Sequence, residues 1–224
     1  MPPVVSPEPS NTISGTSSSE VIEGTIEIDV ISGAGGNDLI AGLGGDDTIN
    51  GNAGRDQIFG DDGADILNGG TARDVINGGT GNDKINGGGA RDVVNGGDDD
   101  DVIRGGQGRD ILSGNKGDDI IRGGPGADII RGNKGDDVMF GGAGRDSLRG
   151  GAGADTYVLE SARGFDLFEG FQKGTDTIRL TKSFSFDDLS LRVRGNNTVI
   201  RVADTNERLA IVIGTDVTDA ANFS

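Results

Sequence analysis

An aliphatic side chain returns at every ninth residue along most of the chain: Ile40, Ile49, Ile58, Leu67, Ile76, Ile85, Val94, Ile103, Leu112, Ile121, Ile130, Met139 and Leu148, with the aromatic Tyr157 closing the series. That period is neither the 3.6 of a helix nor the 2 of a strand. One apolar residue in nine cannot build a core inside a single unit, so the units must stack and pool these side chains into one continuous interior. From Gly33 the chain divides into consecutive nonapeptides, GAGGNDLIA through GGAGADTYV, ending at Val158. Two looser units, GTSSSEVIE from Gly15 and GTIEIDVIS from Gly24, precede them.

Numbering each unit 1 to 9, position 1 is Gly throughout and position 6 is Asp everywhere except Glu20. Glycine at positions 1, 2 and 4 predicts a tight turn over the first six residues, which leaves the last three for a short strand. Two such units complete a circuit of eighteen residues, with a sheet on each flank, turns along two edges and about 4.8 Å between successive coils. The position-6 aspartates then form two ladders. Asp38, Asp56, Asp74, Asp92, Asp110, Asp128 and Asp146 lie on one edge, and Asp47, Asp65, Asp83, Asp101, Asp119, Asp137 and Asp155 on the other. Carboxylates that close cannot all stay ionised unless something positive sits between them.

Composition narrows the chemistry. Of 224 residues 43 are Gly, and there is no Cys, His or Trp. This excludes a disulfide framework, a zinc site built on nitrogen or sulfur, and thiol or imidazole catalysis. A net charge of −17 makes nucleic acid an unsuitable partner and cations suitable ones. With only 33 % apolar residues, such a glycine content would on its own suggest disorder, a reading the nine-residue period overturns.

These glycine- and aspartate-rich units resemble the repeats of the RTX (repeats-in-toxin) family over residues 15–158. The resemblance implies an all-β fold, a right-handed parallel β-roll of two nonapeptides per turn. It also implies Ca²⁺ held between turns of one edge by the fourteen aspartates named above together with loop carbonyls. Oxygen ligands of this kind suit Ca²⁺ rather than Mg²⁺, and if each site takes two loops, up to about twelve ions would bind. The resemblance further implies a secreted protein that passes a type I exporter unfolded and folds on meeting extracellular calcium.

Three regions are expected. Residues 1–14, with Pro2, Pro3, Pro7 and Pro9, read as a flexible arm, and 15–158 as the roll, degenerate over 15–32. Residues 159–224 read as a β-rich cap, with strands at DTIRL, LSLRVR, TVIRV and RLAIVI and a GNN turn at Gly195. Six of the eight Phe lie there, and DVTDAANFS at the end resembles the place of a type I secretion signal. No amino-terminal signal peptide and no apolar run long enough to span a membrane is visible.

Position 5 alternates with the edge. Arg55, Arg73, Arg91, Arg109 and Arg145 lie on one edge, and Asp46, Asp100, Asp118 and Asp136 on the other. The arginines either balance neighbouring carboxylates, with weaker calcium binding on their edge, or form a stripe for acidic polysaccharide or another anionic cell-surface glycan. Position 7, with Val75, Val93, Ile111 and Ile129 on one sheet and Val102, Ile120 and Val138 on the other, should face outward. No nucleophile elbow or phosphate loop interrupts the array, no Thr ladder suits ice, and no amphipathic helix suits membrane lysis. The expected role is therefore non-catalytic, structural or in surface and matrix interaction; the RTX resemblance implies as the alternative a carboxy-terminal folding and secretion module of a larger secreted protease, lipase or epimerase.

Overall fold

A computed structural model of the chain describes residues 11–160, 164–181, 185–218 and 220–223. Pro2, Pro3, Pro7 and Pro9 of the expected arm, together with Phe184, Asp219 and Ser224, lie outside the described residues. Among the described residues two sheets form the fold, one of ten strands and one of twelve, and successive strands of the repeat alternate between them. The result is a parallel β-roll. Each strand pairs with those eighteen residues away on either side, as Val93 does with Val75 and Ile111.

The strands are longer than the glycine pattern predicts. They begin at position 7 and continue through position 3 of the next unit, as in Thr48–Ala53, Gln57–Asp62, Ile66–Thr71 and Val75–Thr80. Only positions 4 to 6 turn, not the first six residues. The reason is that the glycines do different jobs. Position 1 allows close approach: a Cβ on Gly69 would lie 2.6 Å from Asp74 Oδ2 and 2.5 Å from Gly87 O. Positive φ falls at position 2, as at Asn115 (86°), kinking the strand within its ladder, and at position 4, as at Gly63 (140°), where the turn opens.

The position-8 column is the core. Every member from Ile40 to Tyr157 is at most 2 % exposed, and burying each such side chain contributes about 1.5–3 kcal/mol. Position 7 faces outward, with Ile66, Val75 and Val93 exposed. Position 9 also faces outward and forms amide ladders that the sequence reading did not single out. Asn86 Nδ2 donates to Asn68 Oδ1 at 3.0 Å and Asn95 Nδ2 to Asn77 Oδ1 at 2.7 Å, while Arg122 lies over the Phe140 ring at 4.1 Å.

Parallel pairing extends beyond the regular array at both ends. Asn11–Ser14 pairs with Asp29–Ser32. After Thr156–Leu159, Asp166–Glu169 and Thr177–Leu180 continue the two sheets. The twelve-stranded sheet then ends in antiparallel strands Leu189–Arg194, Asn197–Val202 and Arg208–Val212, with Gly195 in the hairpin turn at φ 63°. This is the expected β-rich cap. Its core starts where the aliphatic column turns aromatic: the Tyr157 ring lies 5.0 Å from Phe168 and 5.5 Å from Phe171, and its hydroxyl donates to Glu169 O at 3.1 Å.

Two substitutions should separate the glycine roles. Gly69→Ala drives a methyl against a backbone carbonyl and is expected to cost about 1–3 kcal/mol. Ala90→Gly relieves an alanine held at φ 75° and should stabilise by about 1 kcal/mol. Thermal unfolding midpoints in millimolar calcium check both.

Candidate metal centres

All fourteen aspartates anticipated at position 6 stand in the two ladders, each at most 2 % exposed. They sit just before position 7, where the chain leaves the turn and enters a strand. Their side chains therefore point into the seam between turn and core. In both ladders the backbone N–H of one aspartate donates to Oδ1 of the aspartate eighteen residues on, at 2.7 to 3.2 Å. One carboxylate oxygen is thereby satisfied. Oδ2 of every one of the fourteen is buried with no hydrogen-bond partner.

An orphaned carboxylate oxygen in a buried seam is costly, and the cost falls on the ionised form. Desolvation pushes Asp65, Asp92, Asp119 and Asp155 up to about 6, and Asp47, Asp74, Asp83 and Asp128 up to about 7. Asp101 and Asp137 rise to about 8, again from burial first and then from ladder neighbours. Hydrogen bonds from the backbone act in the opposite direction without offsetting the burial.

The donor set around these oxygens suits a hard cation. At Gly123 the point a Cβ would fill lies 2.5 Å from Asp128 Oδ2 and 2.5 Å from Gly141 O, so carboxylate and carbonyl face the same small space. The ligands would be oxygen only, as Ca²⁺ prefers. Among the described residues no three acidic side chains converge, so main-chain carbonyls would have to complete each site. The two looser units differ. Glu20 accepts from Thr16 N–H at 2.7 Å and from Thr16 Oγ1 at 2.6 Å. Asp29 Oδ2 likewise accepts from Thr25 N–H at 2.6 Å and Oγ1 at 3.0 Å. Threonine at position 2 thus satisfies both oxygens of Glu20 and Oδ2 of Asp29, while Asp29 Oδ1 stays buried without a partner.

Position 5 has a function that the sequence reading missed. Asp46, Asn82, Asp100, Asp118 and Asp136 accept at Oδ1 from the position-5 N–H of the following coil, at 2.7 to 3.2 Å. The short acidic or amide side chain at a turn position was the available signal. On the other edge Ser19 Oγ accepts from Asn37 N–H at 2.9 Å and Asn37 Oδ1 from Arg55 N–H at 2.8 Å. Arg55, Arg73, Arg91, Arg109 and Arg145 are exposed there. The one ion pair among the described residues is Lys116 with Asp98, at 2.7 Å. The arginines thus do not balance the ladder by contact, although the Arg73 charge does act to lower Asp92.

Because Asp47, Asp65, Asp74, Asp83, Asp92, Asp101, Asp119, Asp128, Asp137 and Asp155 titrate at about 6 to 8 when folded and unfolded carboxyls near 4, the metal-free roll holds more protons than the unfolded chain between those limits. Its stability is full below about pH 4 and lost as pH rises through about 8. Circular dichroism in excess chelator should therefore show more β structure at pH 4.5 than at pH 8, and the reverse order would contradict the burial of these groups.

A family model described as the RTX calcium-binding nonapeptide repeat (4 copies) matches residues 14–49, 42–76, 68–103, 95–130 and 122–157. Among solved structures, the extracellular lipase LipA from Serratia marcescens aligns at 17 % identity and TM-score 0.34 over 84 % of this chain, which spans 39 % of the lipase. The AlgE6R3 subunit of the Azotobacter vinelandii mannuronan C5-epimerase aligns at 24 % identity and TM-score 0.28, over 57 % of this chain and 78 % of that one. No match was found among curated proteins. With the repeat model spanning more than half of its residues, the chain belongs to the RTX calcium-binding nonapeptide repeat family.

Proposed function

We propose that this chain is a secreted, non-catalytic calcium-binding roll that folds when extracellular Ca²⁺ reaches its two aspartate ladders. The observation that carries the reading is the set of fourteen buried Oδ2 atoms without partners. Asp38, Asp47, Asp56, Asp65, Asp74, Asp83, Asp92, Asp101, Asp110, Asp119, Asp128, Asp137, Asp146 and Asp155 are the side chains that would hold the ions. Calcium supplies the positive charge that lets neighbouring carboxylates ionise inside the seam. Extracellular modules bind at about 10⁻⁴ to 10⁻³ M, so a chain in calcium-poor cytosol would remain unfolded and suited to export through a type I machine.

Residues 33–158 contain 22 acidic and 12 basic groups, a surplus that a few divalent ions would neutralise. A loaded roll would then present Arg55, Arg73, Arg91, Arg109 and Arg145 as an exposed cationic column. Their exposure without carboxylate contact supports an acidic glycan of the cell surface or matrix as the partner.

At pH 7.5, far-ultraviolet circular dichroism should show β structure in millimolar calcium and its loss in excess chelator, and equal spectra would overturn the reading. Replacing the five arginines with Ser should reduce retention of the calcium-loaded protein on an acidic glycan column about tenfold or more. Unchanged retention would exclude that partner.

A further inference from the structure

The ladder on the Arg145 edge does not end with the last repeat. Asp146 N–H donates to Asp166 Oδ1 at 3.2 Å, an offset of twenty residues instead of eighteen. Asp166 opens the strand Asp166–Glu169, which pairs with the preceding coil in the register Ser147 to Leu167 and Leu148 to Phe168. It therefore stands where the next position-6 aspartate would stand, outside the matched repeats and at 7 % exposure.

Asp166 also adds a carboxylate at that step. A Cβ on Gly141 would lie 2.8 Å from Asp146 Oδ2 and 2.9 Å from Asp166 Oδ2. At the equivalent Gly123 the second oxygen is a main-chain carbonyl. Two carboxylates thus converge on the small space that elsewhere holds one, and Asp146 Oδ2 is buried without a partner. Glu160 adds further negative charge. The nearby guanidiniums of Arg145 and Arg208 lie over the Phe165 ring, at 4.9 and 4.5 Å.

The other edge closes differently. Asp155 N–H donates to Asp176 Oδ1 at 3.2 Å, but Asp176 Oδ2 already accepts from Gln172 N–H at 2.8 Å. This is the same four-residue closure seen at Glu20 and Asp29. One ladder is sealed by its own backbone, and the other ends on paired carboxylates.

We propose that Asp146 and Asp166 together form a cation site, taking Ca²⁺, that joins the last repeat to the carboxy-terminal cap. The proposal rests on the calcium reading of the repeats. Asp166 pairs on its other side with Ala210 of Arg208–Val212, and that strand carries the antiparallel hairpin. An ion here would fasten the hairpin to the roll.

The test uses the full chain and Ca²⁺ itself, comparing wild type with Asp166→Asn, Asp176→Asn and Asp92→Asn. Bound calcium is counted by equilibrium dialysis with elemental analysis. Hydrogen exchange follows cap peptides over 189–212 with and without calcium. Asp166→Asn should lose one ion, and the calcium-dependent protection of the cap should fall about tenfold while peptides over 33–130 keep theirs. Asp176→Asn removes a comparable hydrogen bond and should keep the full count. An unchanged count in Asp166→Asn overturns the proposal, whether or not the cap loosens. If Asp92→Asn and wild type also bind no calcium, the reading of the repeats fails instead.

Discussion

Every nonapeptide of the regular array buries a carboxylate and satisfies only half of it. Oδ1 receives a backbone N–H from the neighbouring coil, and Oδ2 receives nothing within the protein. The rest of the roll is arranged around that imbalance. The position-1 glycine is required because the orphan oxygen and a carbonyl already occupy the space its Cβ would need. The hydrophobic column, with a single side chain per unit, has little surplus with which to offset repeated desolvation of charge. A proton or a divalent ion must therefore accompany the fold, and the two compete for the same oxygens.

The coils are tied to one another in both directions. At position 6 each turn donates its N–H forward to the next carboxylate, whereas at position 5 of the acidic edge it accepts from the next turn's N–H. Such bonds reach only the nearest coil, so stability accumulates as in a one-dimensional stack, and the ends matter more than in a globular domain. At the amino-terminal end Thr16 satisfies both oxygens of Glu20, and Thr25 satisfies Oδ2 of Asp29. The carboxy-terminal end uses Tyr157, Phe168 and Phe171 to fill the mouth of the core, and an antiparallel hairpin to end one sheet.

Much of this was legible in the sequence because the repeat averages out local ambiguity. Fourteen copies at constant spacing identify the Ile and Leu column as interior and the Asp columns as ladders, even though no single unit would. The cap strands were readable from alternation alone. Strand length was not, since glycine at position 1 looks like a turn residue and acts instead as a clearance residue inside a strand. The position-5 hydrogen bonds were hidden because Asp46, Asp118 and Asp136 read simply as extra charge. Asp166 escaped because an offset of twenty breaks the period that made the other aspartates visible, and only the register of Ser147 with Leu167 restores it.

The alternation of the two turn edges sets a rule for how this chain can change length. Removing or inserting nine residues would shift every later strand to the opposite sheet and bring the arginine turns onto the acidic edge, where they cannot accept the N–H of the next coil. Eighteen residues leave both edges, both amide ladders and the cap register as they were. A change of eighteen residues therefore preserves these contacts, and a change of nine exchanges the edges.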